Sequence, residues 1–237
     1  MREIVADVEK VLGSKMPIHF PAVPATFRNV PRVGSTSFKF WALANITDRD
    51  LPTDPRYPNM LTHESLDEIK KMWPDYGTTF GFVRNPYDRL VSIFHFLGQD
   101  SKKRIHRRKN NQGSEEVVSY DVEEDLKLLI NYNKGFRYWI KNAVSRDSDL
   151  LRLSMFNKKD KETQCFFFNN IIPDIVVKLE YIERDFVKIQ DLLKCYAPMQ
   201  HTNTSLHNNY REYYDSETQA IAYRWLEEDL DIFGYTF

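Results

Sequence analysis

Residues 27–37 read Phe27-Arg28-Asn29-Val30-Pro31-Arg32-Val33-Gly34-Ser35-Thr36-Ser37, and the fold is decided by how this stretch turns. Ala25 to Val30 reads as a strand. Pro31–Ser35 reads as a tight loop holding the only glycine nearby. Thr36 to Ala44 reads as a helix, with Phe40, Trp41 and Ala44 at helical spacing. A strand that turns sharply into a helix aims several backbone N–H groups at one spot, where the helix dipole adds positive potential. Gly34 lets the backbone approach an anion closely. Arg32 supplies charge, and Thr36 and Ser37 supply further donors. The same residues also fit an ordinary strand-to-helix turn with a hydroxyl cap, so this corner alone does not fix a function.

A second corner follows. Thr78 to Val83 reads as a strand, and Arg84 stands at its carboxyl end, where open α/β sheets bind ligands. Asn85-Pro86 then starts a helix, with Asn as cap and Pro at the first helical position. Its apolar face is Tyr87, Leu90, Val91, Phe94 and Leu97, with Asp88, Arg89 and Ser92 turned away from it. Arg84 and Ser92, eight positions apart, are thereby candidates to converge on one phosphate. A capped helix beside a surface arginine is the plainer alternative. A third strand is expected at Ile175 to Leu179. The alternation of strands with helices implies an α/β fold with a parallel sheet flanked by helices.

Around these corners, residues 1–24 read as a short amphipathic helix followed by a Pro-rich link at Pro17, Pro21 and Pro24. Residues 48–60 read as a loop. Further helices are expected at 65–73, 121–132, 134–145, 161–170, 182–195 and 216–230. Residues 98–120 read as a basic polar insertion carrying Lys102-Lys103-Arg104-Ile105-His106-Arg107-Arg108-Lys109. The chain has 237 residues and a net charge of −1, so any anion site must come from local clustering, and nucleic acid is not an expected partner. Its length suits a single domain over 1–237. The two cysteines, Cys165 and Cys195, have apolar or aromatic neighbours and read as buried free thiols of a reducing compartment. No Cys/His spacing suggests a metal site. No window approaches the roughly 20 apolar residues of a membrane span, and no signal peptide is evident, so a cytoplasmic protein is expected.

The first corner lacks the G-x-x-x-x-G-K-[ST] pattern of nucleotide kinases. It resembles instead the 5'-phosphosulfate loop of sulfotransferases dependent on 3'-phosphoadenosine-5'-phosphosulfate (PAPS), a Pro-Lys-x-Gly-x-Thr-Ser pattern matched by Pro31 to Ser37. The second corner, Arg84 to Ser92, is similar in full to that family's 3'-phosphate motif, Arg-Asn-Pro-Tyr-x-Arg-Leu-x-Ser. Softer similarity continues through Gln164, Lys178-Leu179-Glu180 and Asp185-Phe186. The ending, from Tyr213-Tyr214-Asp215 through Asp231 to Phe237, resembles the C-terminus of carbohydrate-type members.

The resemblance implies a P-loop-like sulfotransferase fold in which Arg32, Val33, Gly34, Ser35, Thr36 and Ser37 hold the 5' end of PAPS. Arg84 and Ser92 would hold the 3'-phosphate, with PAP as product and no metal. Arg32 replaces the usual lysine. A guanidinium grips phosphate through its fork but is a poor proton donor, so Arg32 is expected to stabilise the leaving phosphate by charge. His63, 21 residues before Arg84, lies near where family members place a catalytic His or Glu, and is the expected general base, with Glu64 as the alternative. The other five histidines have less positional support. The acceptor implied is a carbohydrate or small molecule, and the basic run suits the recruitment of an anionic one. Two other functions stay open at this point: a kinase with a degenerate phosphate loop, and a non-catalytic PAP- or glycan-binding module.

Overall fold

A computed structural model describes residues 17–49, 66–110, 129–144, 163–199 and 207–237. The expected N-terminal helix, His63 and Glu64 lie outside the described residues. The chain divides into two compact units. The first comprises Met1–Asn85, Glu162–Thr204 and Ile232–Gly234, and the second Pro86–Lys161, Ser205–Asp231 and Tyr235–Phe237.

The first unit is built on a four-stranded sheet in the order β1 (Ile18–Phe20), β2 (Ala25–Arg28), β3 (Thr78–Val83), β4 (Ile175–Lys178). Strands β2, β3 and β4 are parallel, as the alternating pattern implies. β1 was read as part of the Pro-rich link. It is instead an antiparallel edge strand, with His19 opposite Thr26. Both polar side chains there are used: His19 Nδ1 lies 3.1 Å from the Ala25 carbonyl and from Thr26 Oγ1, while the Thr26 hydroxyl donates to the Tyr76 carbonyl.

One face of this sheet is aromatic. Helix α1 (Ser35–Asn45) lays Phe38 against Phe27, Phe80 and Phe82, with ring centroids 4.5–5.4 Å apart. The buried apolar face of α1 is Phe38, Trp41 and Ala42, whereas Phe40 and Ala44 point outward. The 38/42 pair, one turn apart, outcompetes the expected 40/44 pair because Phe38 meets three sheet phenylalanines at once. The opposite face is packed tightly. A Cβ at Gly81 would stand 2.8 Å from the Phe168 ring, and the Arg28 guanidinium lies over that ring at 5.3 Å. Burial lowers the Arg28 pKa to about 10, against the opposing pull of Asp174, so Arg28 stays charged at neutral pH. Asp174 in turn accepts the Thr79 N–H and hydroxyl at 2.7 Å each, bonds that hold its carboxyl below the usual range. After β2 and β3 the chain also forms helix α2 (Leu66–Met72), the short helix α5 (Gln164–Phe167), and helices α6 (Ile182–Asp185) and α7 (Val187–Leu193), separated at Phe186. Cys165 is buried and Cys195 half-buried, both as free thiols.

The second unit centres on helix α3 (Pro86–Asn110). Its Tyr87, Leu90, Val91, Phe94 and Leu97 pack with helix α4 (Phe136–Trp139) and with Tyr214, Trp225, Leu226 and Leu230, the last three from helix α8 (Ser216–Phe233). The Tyr214 hydroxyl donates to the Tyr87 carbonyl at 2.9 Å. Arg89 and Ser92, expected away from the apolar face, are buried. One expectation is corrected here: the stretch read as a polar insertion from residue 98 continues α3 as far as Asn110. Lys and Arg are good helix formers, and residues 99–110 contain neither Gly nor Pro.

On α3, His95 meets the hydroxyls of Tyr213 (3.0 Å) and Tyr132 (3.4 Å) and stacks on His207 at 5.7 Å. His207 faces Asp88 at 3.9 Å. Burial first, and the neighbouring His207 second, hold the His95 imidazole below its ordinary value of 6.5. As pH falls through that value, the unfolded chain takes up a proton that the folded one resists, so stability is lost on acidification until the folded pKa is passed. The urea midpoint is expected to be lower at about pH 5.5 than at about pH 7.5, and His95→Gln should shrink that difference. An unchanged pH slope in the variant would remove His95 as the cause.

Candidate functional site

The parallel register brings the carboxyl ends of β2, β3 and β4 to one edge of the sheet. Phe27 pairs with Phe80 and Phe80 with Ile175, while Val83 pairs with Lys178 near the exits of β3 and β4. The connections leaving this edge carry the residues singled out in the sequence.

The corner after β2 is a turn in left-handed backbone. Arg32 has φ 67° and Gly34 φ 87°. Left-handed residues within such a turn direct main-chain N–H groups into a common concavity suited to an anion. A non-glycine residue held at positive φ is strained, and such strain concentrates at ligand sites. Gly34 is also the N-cap of α1, which has no side-chain cap hydrogen bond and no acidic residue in its own first turn, so the first turn itself does not offset the positive end of the helix. The Ser35 hydroxyl donates to the Val30 carbonyl at 2.6 Å and ties the turn to the strand; its main-chain N–H belongs to the first turn of α1. Thr36 is half-buried and Ser37 buried. Just past β2, the buried Oδ1 of Asn29 has no hydrogen-bond partner among the described residues.

Space at Gly34 is as limited as its backbone is unusual. A Cβ there would stand 2.9 Å from Leu179 Cδ1. The leucine tip can yield, so the larger penalty of Gly34→Ala is the left-handed backbone, about 1–2 kcal/mol. The variant is expected to unfold at lower denaturant by that amount. An unchanged midpoint would show that the turn adopts another conformation in solution.

The corner after β3 lies beside the first. Arg84 Nη1 is 3.5 Å from the Arg32 carbonyl oxygen, so the two arginines share one end of the sheet. The main chain at Arg84 is held by the Gln164 side chain, whose Oε1 accepts the Arg84 N–H at 2.8 Å and whose Nε2 donates to the Arg84 carbonyl at 2.9 Å. The next N–H, of Asn85, donates to the Glu180 carboxylate. The sequence had marked Gln164 and Glu180 only through a soft resemblance, without a role. The available signal was a lone amide ahead of the apolar run Cys165 to Phe168, since a buried polar side chain requires a partner. Ser92, fully buried on α3, belongs to the second unit.

Main-chain N–H groups at a helix N-terminus, with the Arg84 guanidinium 3.5 Å from the Arg32 carbonyl, suit an anionic ligand. The family model for the sulfotransferase family matches residues 24–236 of the chain. The chain belongs to the sulfotransferase family. No curated protein and no solved structure matches it. As a family member it is a transferase fold built for sulfuryl transfer, and the match takes in both corners, from Pro31 to Ser37 and from Arg84 to Ser92. Among the described residues of this sulfotransferase-family chain, no helix is long and apolar enough to cross a membrane.

Proposed function

We propose that this chain takes PAPS as its donor and transfers the sulfuryl group in line to a hydroxyl or amine of an acceptor, with carbohydrate favoured. The observation that carries the reading is the 3.5 Å approach of the Arg84 guanidinium to the Arg32 carbonyl, which supports reading the two corners as one cradle. Arg32, Val33, Gly34, Ser35, Thr36 and Ser37 hold the 5' end. Arg84 holds the 3'-phosphate, and Ser92 joins it on the strength of the sequence motif.

In the reaction the acceptor oxygen or nitrogen attacks sulfur, the bond from sulfur to the bridging phosphate oxygen breaks, and PAP leaves. The transition state is loose, so positioning and charge stabilisation carry most of the catalysis. Arg32 stabilises the charge growing on the leaving phosphate and stays protonated throughout. His63 takes the acceptor proton as general base, with Glu64 as the alternative. The basic run 102–109 is a candidate, on charge alone, to recruit an anionic acceptor.

Two measurements test the reading. Thermal shifts with PAP, PAPS, ADP and ATP should rank the 3'-phosphorylated nucleotides first; preference for ATP with Mg²⁺ would make the chain a kinase. Radiolabelled PAPS offered to polysaccharides, small phenols and lipids should label an acceptor. Tight PAP binding with no transfer to any acceptor class would make the chain a binding module.

A further inference from the structure

The main chain at the exit of β3 is held by side chains from distant segments. Gln164 is fully buried and gives Arg84 both hydrogen bonds that a neighbouring strand residue would give. Its amide orientation is forced: reversed, NH2 would face N–H and oxygen would face oxygen. The segment carrying Gln164 is itself anchored. Thr163 caps the helical turn by accepting the Phe166 N–H at 3.1 Å. Arg28 donates to the carbonyls of Phe168 and Ile171. A rigid path therefore runs from β2 through Arg28 and α5 to the Gln164 amide, and from there to the backbone of Arg84.

We infer that Gln164 is a positioning residue for nucleotide recognition: by fixing both main-chain groups of Arg84, its amide sets where the guanidinium points and hence how well the protein distinguishes 3'-phosphorylated nucleotides. The inference rests on the proposed donor site. Gln164 acts through Arg84, with both amide atoms already committed to the protein. Without the amide, the part-buried N–H and carbonyl of Arg84 lose these two hydrogen bonds. The Arg84 backbone then rotates toward others, and a guanidinium on a long side chain magnifies that rotation at its tip. Recognition through a bidentate fork is sensitive to such displacement.

The test is the ratio of affinities for adenosine 3',5'-bisphosphate and adenosine 5'-monophosphate, by isothermal titration, in the wild type, Gln164→Met and Gln164→Ala. Met keeps the volume and removes both hydrogen bonds; Ala removes the side chain. The wild-type preference for the bisphosphate is expected to fall roughly tenfold or more in both variants, with 5'-monophosphate affinity within about threefold of the wild type. A partly unfolded sample lowers the active fraction for both ligands alike and leaves the ratio unmoved, so a merely structural role predicts no change in it. A wild-type ratio in Gln164→Met overturns the positioning role. If Gln164→Met does not fold, Gln164→Ala decides by the same criterion. A wild type that does not prefer the bisphosphate overturns the donor-site reading itself, which is a separate outcome.

Discussion

Arg84→Ala is expected to bind adenosine nucleotides equally well with and without a 3'-phosphate. The wild type should prefer the 3'-phosphorylated form because a guanidinium fork makes charge-assisted bonds to phosphate, each worth about 1.5–3 kcal/mol net. Loss of that energy weakens bisphosphate binding roughly 10- to 100-fold. The change should leave the main chain at residues 84 and 85 in place and, within the protein, give up the 3.5 Å contact of Arg84 Nη1 with the Arg32 carbonyl. The main chain at residue 84 is held by Gln164, and that at 85 by Glu180, and none of those bonds uses the guanidinium. Affinity for 5'-monophosphate should therefore stay close to the wild-type value. Titration of both ligands into both proteins reads the result. A variant that keeps the wild-type preference would remove Arg84 from the 3'-phosphate site.

His63→Ala is expected to lower kcat by roughly 10²-fold or more while leaving PAPS binding little changed. A general base acts on the acceptor proton in the transition state, so its loss lowers turnover more than donor affinity. A histidine near its reference pKa of about 6.5 is part-deprotonated at neutral pH and suited to that task. Single-turnover rates with saturating PAPS, alongside PAP titration, separate the two effects. Near-normal turnover would remove His63 from the mechanism. Glu64→Gln, measured in the same assay, then tests the neighbouring carboxylate.

Much of the first unit was legible because its elements carry strong local signals. The strands β2, β3 and β4 are β-branched or aromatic runs bounded by turn residues, and Asn85-Pro86 marks a helix start that the structure reproduces. β1 was hidden because Pro17, Pro21 and Pro24 surround a strand of only three residues, and proline argues against strand except at an edge. The extension of α3 to Asn110 was masked by charge: the run Lys102 to Lys109 reads as solvated loop on polarity, although each residue in it tolerates a helix. The break at Phe186, between α6 and α7, carries no Gly or Pro to announce it. Within the candidate site, the arginines and Gly34 were legible from their motifs. The hold of Gln164 and Glu180 on the Arg84–Asn85 main chain was not, because a side chain bonding to backbone far along the sequence leaves no periodic trace. Which face of α1 meets the aromatic side of the sheet depended on three phenylalanines from two strands.

The spacing of the Gln164 and Glu180 bonds bears on how the protein comes into being. They reach back across 80 and 95 positions, and β3 and β4 pair over a comparable stretch of chain. Contacts of such long range form late and slowly, since the intervening chain must first be closed into a loop. A growing polypeptide on the ribosome therefore exposes both arginines well before the residues that fix Arg84 have been made. Nucleotide affinity should then appear only after Glu180 has been made, so that ligand capture reports on a chain in which these long-range bonds have closed.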